Sequence, residues 1–465
     1  MSERLHFVGV GGIGMSALAQ ISLARGARVS GSDAHESPLT RRLRALGVKV
    51  WIGHRGDLVE GADRVIVSDA IRPDNPELIR ARELGLPVLR RSALLGEMMD
   101  AGRGIAISGT HGKTTVTAMV GAILHEGGLD PTVALGGSYA PLGGNARAGA
   151  GEWLVAEACE AYESYLDLRP EIAAVTNVEA EHLDHHGTEA GLRASFRRFL
   201  ERLREGGAAV LCADRPELRE LARGLPREVV WYGLSEGAHV RGLEAQARGR
   251  IAWCRLLVEG EEAGELRVGA PGLHTVVNAL GATAIALRAG ADLGTCRGAL
   301  ARFRGVERRF EVVGEAEGVV VVDDYAHHPT EIAATLAAAR AAFPGRPLRA
   351  VFQPHLYSRT RDFADGFAAA LASADSVVVT EVYAAREDPL PGVSSALIAG
   401  PLRRLRGEDA VQEVAKEEVA ERVAASVQTG EVVVVMGAGD IGEAARALAA
   451  RLGARPTAPG VAAKK

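Results

Sequence analysis

Cysteine is scarce in this chain: four residues in 465, at Cys159, Cys212, Cys254 and Cys296. Their scatter matches neither a metal-ligand pattern nor a disulfide framework, so free thiols in a reducing compartment are expected. Apolar runs of membrane-spanning length are missing, and the N-terminus runs straight into a strand pattern without signal-peptide features. A cytoplasmic protein with no membrane partner is expected. Positive charge is not in excess either; a net charge of −5 argues against a general nucleic-acid surface. Lysine is rare, with only Lys49, Lys113, Lys416, Lys464 and Lys465 among 54 Lys and Arg. A lysine kept in an arginine-using chain points to chemistry that wants a compact point charge.

What is present is ordinary for a soluble globular protein, with 47% apolar and 24% charged residues. The length is too great for one core and implies about three domains. Lys113 lies in the stretch around which the rest is organised, Gly109-Thr110-His111-Gly112-Lys113-Thr114-Thr115. The apolar run Gly104–Ser108 before it reads as a buried strand, and Val116–Leu124 after it reads as a helix. A glycine-rich turn between strand and helix aims backbone N–H groups and the positive helix end at one point, which suits phosphate. Lys113 is expected to reach the terminal phosphates of ATP and the Thr114 hydroxyl to sit on Mg²⁺. The full G-x-x-x-x-G-K-[ST] pattern is not met, because its first glycine position holds Ile107.

A second glycine-rich turn opens the chain. An apolar strand from Leu5 runs into Gly9-Val10-Gly11-Gly12-Ile13-Gly14, then a helix, Met15 to Arg25, then a strand, Ala27 to Ser30, ending near Asp33. The pattern is a dinucleotide fingerprint, but the same turn would hold a nucleotide-sugar diphosphate equally well. Strand Arg64–Ser68, helix Pro76–Leu84 and strand Pro87–Leu89 complete a small α/β domain ending near Met99.

In the second domain Gly136-Gly137-Ser138 to Gly143-Gly144 reads as a surface loop, and strand Trp153–Ala156 ends in Glu157. A carboxylate at a strand end beside a phosphate loop is placed to complete a Mg²⁺ site. Strand Ile172–Asn177 leads to the cluster Glu179, Glu181, His182, Asp184, His185 and His186, where α/β sheets put their chemistry. The spacing of its histidines does not match the helical H-E-x-x-H pattern, so zinc is not expected. Residues 229–268 read as antiparallel strands, and Pro271-Gly272-Leu273-His274 opens a long Ala-rich helix. The third domain follows Arg308-Arg309-Phe310, a pair that could stabilise transferring phosphoryl charge. It is α/β again, with polar sets at strand ends: Asp323 to Glu331, Gln353 to Asp362, Glu381-Val382-Tyr383 and Gly437-Ala438-Gly439. The last is read as a tight turn lining a cleft, and the tail from Ala454 as disordered.

A diphosphate-type loop, an ATP-type loop and a polar third domain suit a reaction that joins two substrates at the expense of ATP. Over residues 4–450 the chain resembles the Mur ligases, which build the peptide of bacterial peptidoglycan. The resemblance rests on Gly109–Thr115, Gly9–Gly14, Thr176-Asn177 through Asp184, Arg308-Arg309-Phe310, Asp323–Glu331 and Pro354–Asp362. These motifs look most like the member that adds L-alanine to UDP-N-acetylmuramate. The resemblance implies three α/β domains in series: a Rossmann-like N-terminal domain over 1–99, a central P-loop ATPase domain over 100–307 and a Rossmann-like C-terminal domain over 308–465. It implies phosphorylation of the lactyl carboxylate by ATP, then attack of the alanine amine on the acyl phosphate. Gly11, Gly12, Ile13 and Gly14, with Asp33 and Ser68, would bind the UDP-sugar. Gly109, Thr110, His111, Gly112, Lys113, Thr114 and Thr115, with His274, Asn278, Arg309 and Asp324, would bind ATP. Thr114, Glu157 and His182 would hold Mg²⁺, and Lys113, His182, Arg308 and His327 would be catalytic. Tyr325, His328 and Arg359 would face the amino acid, and the protein would be a monomer or homodimer.

Three departures from the family pattern are visible. The segment Glu157-Ala158-Cys159-Glu160-Ala161-Tyr162-Glu163-Ser164 stands where the family often has Glu-Ala-Asp-Glu-Ser-Asp. Thr275 stands where Asn is frequent, and Leu356 where Arg is frequent. Rival readings are a recycling ligase that attaches a whole peptide to the same sugar nucleotide, an NAD-linked oxidoreductase, and a non-catalytic nucleotide-binding regulator.

Overall fold

The computed structural model describes residues 2–180, 186–385, 387–453 and 455–456. His182 and the neighbouring Glu181, Asp184 and His185 lie outside the described residues, as does most of the tail read as disordered. The chain divides into two compact units: Met1–Leu243 with Arg255–Gly264 and Val277–Leu300, and Glu244–Cys254 with Glu265–Val276 and Ala301–Lys465.

The first unit begins with a five-stranded sheet, β1 (Arg4–Val8), β2 (Arg28–Asp33), β3 (Lys49–Ile52), β4 (Arg64–Val67) and β5 (Val88–Arg90), in the order β3-β2-β1-β4-β5. All four pairings are parallel. Parallel neighbours need crossovers, and α1 (Ile13–Ala24), α2 (Pro38–Ala45), α3 (Pro76–Glu83) and α4 (Arg91–Asp100) lie along this stretch of chain. The strand order reverses at β1, so the glycine turn that follows it sits at the switch point where such sheets bind ligands. Helix α2 and strand β3 were not legible in the sequence. α2 is eight residues long and begins at a Ser37 capping box with Pro38 in its first turn.

The second sheet contains β6 (Arg103–Ser108), β7 (Thr132–Tyr139), β8 (Gly144–Arg147), β9 (Trp153–Glu157), β10 (Ile172–Val175), β11 (Ala208–Cys212), β12 (Glu228–Gly233), β13 (Val240–Arg248), β14 (Ile251–Val258) and β15 (Glu261–Val268). Its order is β15-β14-β13-β12-β11-β10-β6-β9-β7-β8. The central strands are apolar on both faces, as a parallel sheet covered on both sides requires; Ile105, Ala106, Ile107, Val155, Ala156, Ala173 and Val175 are all at 0% exposure. The segment read as a Gly-rich surface loop is instead the β7–β8 hairpin, with antiparallel pairing and an irregular register between Ala134 and Tyr139. Gly136 serves close packing, a Cβ there meeting Glu157 Oε2 at 2.2 Å, while Gly143 at φ +84° makes the turn. The connections from β13 to β14 and from β14 to β15 span two residues each, as antiparallel neighbours allow.

In the second unit β16 (Glu311–Ala316), β17 (Val319–Asp324), β18 (Leu348–Phe352), β19 (Ser376–Val379), β20 (Val411–Glu413), β21 (Val432–Met436) and β22 (Arg455–Pro456) form a sheet ordered β20-β19-β18-β21-β17-β16-β22. Its interior is parallel, and β16 runs antiparallel to β17. The run Val319-Val320-Val321-Val322 is buried throughout because successive side chains enter different cores. Val320 and Val322 pack with Ile332 and Leu336, and Val319 and Val321 with Val419 and Leu448. The tail reading fails at Arg455–Pro456, which pairs with Gly314 and Glu315 as an edge strand. The four cysteines are free thiols. Among the described residues no helix is long and apolar enough to cross a membrane.

Candidate active site

Strand β6 ends at Ser108, and α5 (Lys113–Glu126) starts four residues after Gly109. The turn between them needs two left-handed residues, Gly109 at φ +127° and Gly112 at φ +83°. A Cβ at Gly109 would stand 2.1 Å from Thr176 Oγ1, and one at Gly112 2.8 Å from Asn278 Oδ1, so neither position has room for a side chain. Thr176 donates to the His111 carbonyl at 2.6 Å, and Asn177 Oδ1 accepts from His111 N at 2.9 Å. The strand end after β10 therefore clamps the loop. β10 and β9 lie on opposite sides of β6, so Glu157 and the polar segment after Asn177 flank the loop rather than coming from adjacent strands.

Thr114 is buried and donates its hydroxyl to Glu157 Oε2 at 2.8 Å, and Gly136 N donates to the same oxygen at 3.1 Å. A Cβ at Gly136 would lie 2.2 Å from that oxygen. The hairpin misread as a loop thus forms a cradle that only glycine allows. An oxygen-only donor set of one hydroxyl and one carboxylate suits a hard cation such as Mg²⁺. Lys113 Nζ lies 3.0 Å from Glu160 Oε1 and donates to the carbonyls of Gly109 and Thr110. Glu160 is 1% exposed. Tyr162 and Glu163, both with φ +53°, turn the chain just beyond it. Sequence reasoning missed Glu160 as the lysine's partner and Gly136 as a partner of Glu157. The pair of acids three apart in Glu157-Ala158-Cys159-Glu160 was the available signal.

At the N-terminal glycine turn Asp33 Oδ2 accepts from Gly11 N at 2.8 Å, and Ser68 packs against Gly9. α1 starts at Ile13 on the Gly12 N-cap. Asn145, buried on β8, holds this helix start: its Nδ2 donates to Ile13 O and to Ser16 Oγ, both at 2.8 Å, and its Oδ1 accepts from Gln20 at 3.0 Å. β8 pairs with β7, which carries Gly136. A continuous path of backbone pairing and hydrogen bonds therefore joins the diphosphate-type turn to the Thr114–Glu157 pair.

The second unit gathers its own polar set at the ends of β17, β18 and β19. Arg308 and Arg309 stack on Tyr325, with guanidinium carbons 4.8 Å and 4.9 Å from the ring centre. Arg308 also donates to Gly437 O at 2.7 Å and lies 3.5 Å from buried Asp323. His327 Nδ1 lies 2.9 Å from Tyr325 O, and its backbone N–H donates to Glu331 at 3.0 Å. Arg359 meets His355 Nδ1 at 3.2 Å, and the His355 ring stacks on Tyr383 at 5.7 Å. Burial raises the carboxyl of Asp323 above its usual range and that of Asp324 to about 6, against the pull of Arg308 and Arg309 respectively.

Residues 4–103 match the Mur ligase family, catalytic domain; 107–286 match the Mur ligase middle domain; 308–439 match the Mur ligase, glutamate ligase domain. The chain is 47% identical to the UDP-N-acetylmuramate–L-alanine ligase of Sorangium cellulosum, over 97% of each chain. The chain belongs to the Mur ligase family. It is also 46% identical to the enzyme of the same name from Xanthomonas oryzae pv. oryzae, over 95% of this chain and 94% of that one. Among solved structures it superposes on the UDP-N-acetylmuramate–alanine ligase MurC of Thermotoga maritima with a TM-score of 0.82 at 32% identity, covering 96% of this chain and 98% of that chain.

As expected of a Mur ligase, the chain carries three α/β domains in series. Several of the expected site residues have protein partners in the structure. Asp324, expected at ATP, accepts backbone N–H groups of Phe310 and Ala326 with its two carboxylate oxygens, each at 2.7 Å. His328, expected at the amino acid, caps the helix Pro329–Ala342 and packs on Phe363. His274 is exposed in the first turn of the helix Leu273–Arg288, and Thr275 turns its hydroxyl back to Pro271 O at 2.6 Å. Asn278, one turn along the same helix, lies against the glycine turn at Gly112. Leu356 is 9% exposed and adopts φ +69°, an unusual backbone for leucine, at the N-cap of the helix Tyr357–Asp362.

Proposed function

We infer that this Mur ligase joins L-alanine to the lactyl carboxylate of UDP-N-acetylmuramate at the expense of ATP, in peptidoglycan synthesis. The observation that carries this is identity of 45–47% over nearly the whole chain to relatives that all bear that activity in their names. The recycling ligase that adds a peptide to the same sugar nucleotide is less supported.

A carboxylate is a poor electrophile, and ATP converts it to an acyl phosphate with a good leaving group. The γ-phosphoryl bond to ADP breaks as the lactyl oxygen bonds phosphorus. The alanine amine then attacks the acyl carbon, loses a proton, and inorganic phosphate leaves as the amide forms. Positive charge must surround the transferring phosphoryl. Lys113 supplies it from the loop, leaving Glu160 for a phosphate oxygen, and Arg308 or Arg309 supplies it from the third domain. Thr114 and Glu157 would hold one Mg²⁺ and His182 a second, and such cations would offset the negative charge that builds up during phosphoryl transfer. Gly11, Gly12, Ile13 and Gly14, with Asp33 and Ser68, hold the UDP moiety. Asn278 and His274 border the adenine nucleotide. Tyr325, His328 and Arg359 serve the amino acid, with His327 or His328 near the attacking amine. The domains divide near 99/100 and 307/308, the enzyme works in the cytoplasm, and it acts as a monomer or homodimer.

Phosphate release with ATP, Mg²⁺ and UDP-N-acetylmuramate across a panel of amino acids tests the inference. Turnover that depends on both the sugar nucleotide and L-alanine is expected. Turnover indifferent to amino acid, or dependent on a peptide instead, overturns it.

A further inference from the structure

β17 ends in two carboxylates, Asp323 and Asp324, whose side chains leave opposite faces of the sheet. Asp324 is satisfied by two backbone amides. Asp323 follows Val319 and Val321 onto the face covered by Leu448 of the helix Gly442–Arg451 and is 0% exposed. Among the described residues neither of its oxygens accepts a hydrogen bond, and a buried carboxylate in that state calls for a reason. Its nearest charges are two guanidinium groups. Arg308 Nε lies 3.5 Å from Oδ2, a contact of charges beyond good hydrogen-bond length, and has no hydrogen-bond partner of its own among the described residues. Arg446 Nη2 lies 3.9 Å away, but that side chain is 52% exposed and stands as near to Glu311, at 3.8 Å. Arg308 is therefore the inner counter-charge. Space is kept for the pair: a Cβ on Gly442, the first residue of the helix, would stand 2.7 Å from Asp323 Oδ2 and 3.2 Å from Arg308 Nε.

Arg308 is held at other points as well. Its Nη2 donates to Gly437 O at 2.7 Å, its backbone N–H donates to Glu311 at 3.0 Å, and its carbonyl accepts from Tyr325 N at 2.7 Å. These bonds maintain an unfavourable turn. Arg308 and Phe310 both adopt left-handed backbone, at φ +57° and +51°, with Arg309 between them. The Arg309 guanidinium is anchored less: it rests on the Tyr325 ring and lies 4.0 Å from Glu331. One arginine of the pair is committed to the protein, and the other is left for an anion.

We propose that Asp323 is a positioning residue for phosphoryl transfer: its charge keeps the Arg308 guanidinium turned into the third domain and so fixes the turn that presents Arg309 to the transferring phosphoryl. The proposal rests on the ligase reading and gives the two arginines different roles. Arg308 positions, and Arg309 stabilises the developing charge. Without its inner counter-charge Arg308 is released, the left-handed turn relaxes, and Arg309 moves off line.

The test measures alanine-dependent phosphate release and the thermal midpoint of the wild type, Asp323→Asn, Arg308→Met, their double variant and Arg309→Met. Asparagine keeps the size of the carboxylate and removes its charge; methionine keeps an unbranched stem against Tyr325 and removes the guanidinium. Asp323→Asn and Arg308→Met should each lower kcat about ten- to a hundredfold, with the KM for UDP-N-acetylmuramate and L-alanine within about twofold. The double variant should be no slower than the slower single one, because both changes release the same guanidinium. Arg309→Met should cost more, about 10³-fold. Wild-type kcat in Asp323→Asn, whatever its midpoint, overturns the proposal and leaves Asp323 a part of the core only. Losses that multiply in the double variant overturn it too, since the two residues would then act independently. So does an Arg308→Met loss as large as that of Arg309→Met, which would put Arg308 on the phosphoryl itself. Should Asp323→Asn fail to fold, Arg308→Lys decides: lysine keeps the charge that faces Asp323, so partial recovery relative to Arg308→Met supports the proposal and none overturns it. A wild type that releases phosphate without regard to L-alanine would instead overturn the ligase reading.

Discussion

Replacing Lys113 by alanine should cost both activity and stability, and the two losses should separate in a second variant. Lys113 Nζ and Glu160 Oε1 are 3.0 Å apart, with side chains 13% and 1% exposed. Two unit charges at that distance attract by about 5.5 kcal/mol at an effective dielectric near 20. Removing one partner of a buried pair typically costs about 3–5 kcal/mol, because the other charge stays out of water. Lys113 is partly wet, so the lower end, about 3 kcal/mol, is expected. For a unit of this size that lowers a thermal midpoint by about 6–12 °C. Adding Glu160→Gln to Lys113→Ala removes the stranded charge and should restore most of the midpoint. The lost bonds from Nζ to the Gly109 and Thr110 carbonyls are common to both variants, so the difference between them isolates Glu160. Turnover, read as alanine-dependent phosphate release, should fall by at least about 10²–10³ in both. Equal midpoints for the single and double variants would refute the energetic reading. Recovery of turnover in the double variant would show that Lys113 only neutralises Glu160.

Gly136→Ala places a methyl 2.2 Å from Glu157 Oε2, so the carboxylate must move; the Mg²⁺ needed for half-maximal activity should rise about tenfold, and an unchanged Mg²⁺ titration would remove the cradle from the account. Asp324 titrates near 6 in the folded protein against an ordinary 3.8, chiefly through burial. Its folded pKa is raised, so its contribution is present below about pH 4 and is lost as pH rises through about 6; this amounts to about 3 kcal/mol. The midpoint difference between the wild type and Asp324→Asn should change over that window, and a pH-independent difference would contradict it. Arg359→Ala should raise the KM for L-alanine about ten- to a hundredfold with those for ATP and the sugar nucleotide nearly constant. Equal weakening of all three would assign Arg359 to holding the third domain together.

Contiguous stretches were legible because their chemistry is local. A turn that must present amides needs glycine at left-handed positions, and a strand buried on both faces needs an unbroken apolar run; both leave their mark within ten residues of sequence. The phosphate loop at Gly109–Thr115, the glycine turn at Gly9–Gly14, the carboxylate ending β9 and the three α/β domains were all readable on those grounds. What the fold alone decided involves partners far apart along the chain. Spacing does not show that β6 lies between β9 and β10, so that Glu157 and Asn177 approach the loop from opposite sides. A glycine-rich segment reads as a loop unless the carboxylate that crowds Gly136 is known to face it. That Asp324 and His328 accept backbone N–H groups of Phe310, Ala326 and Thr330 is likewise shown only by the fold. Sequence records what each residue can do; which groups are already satisfied, and which remain for a substrate, depends on contacts made only when the chain folds.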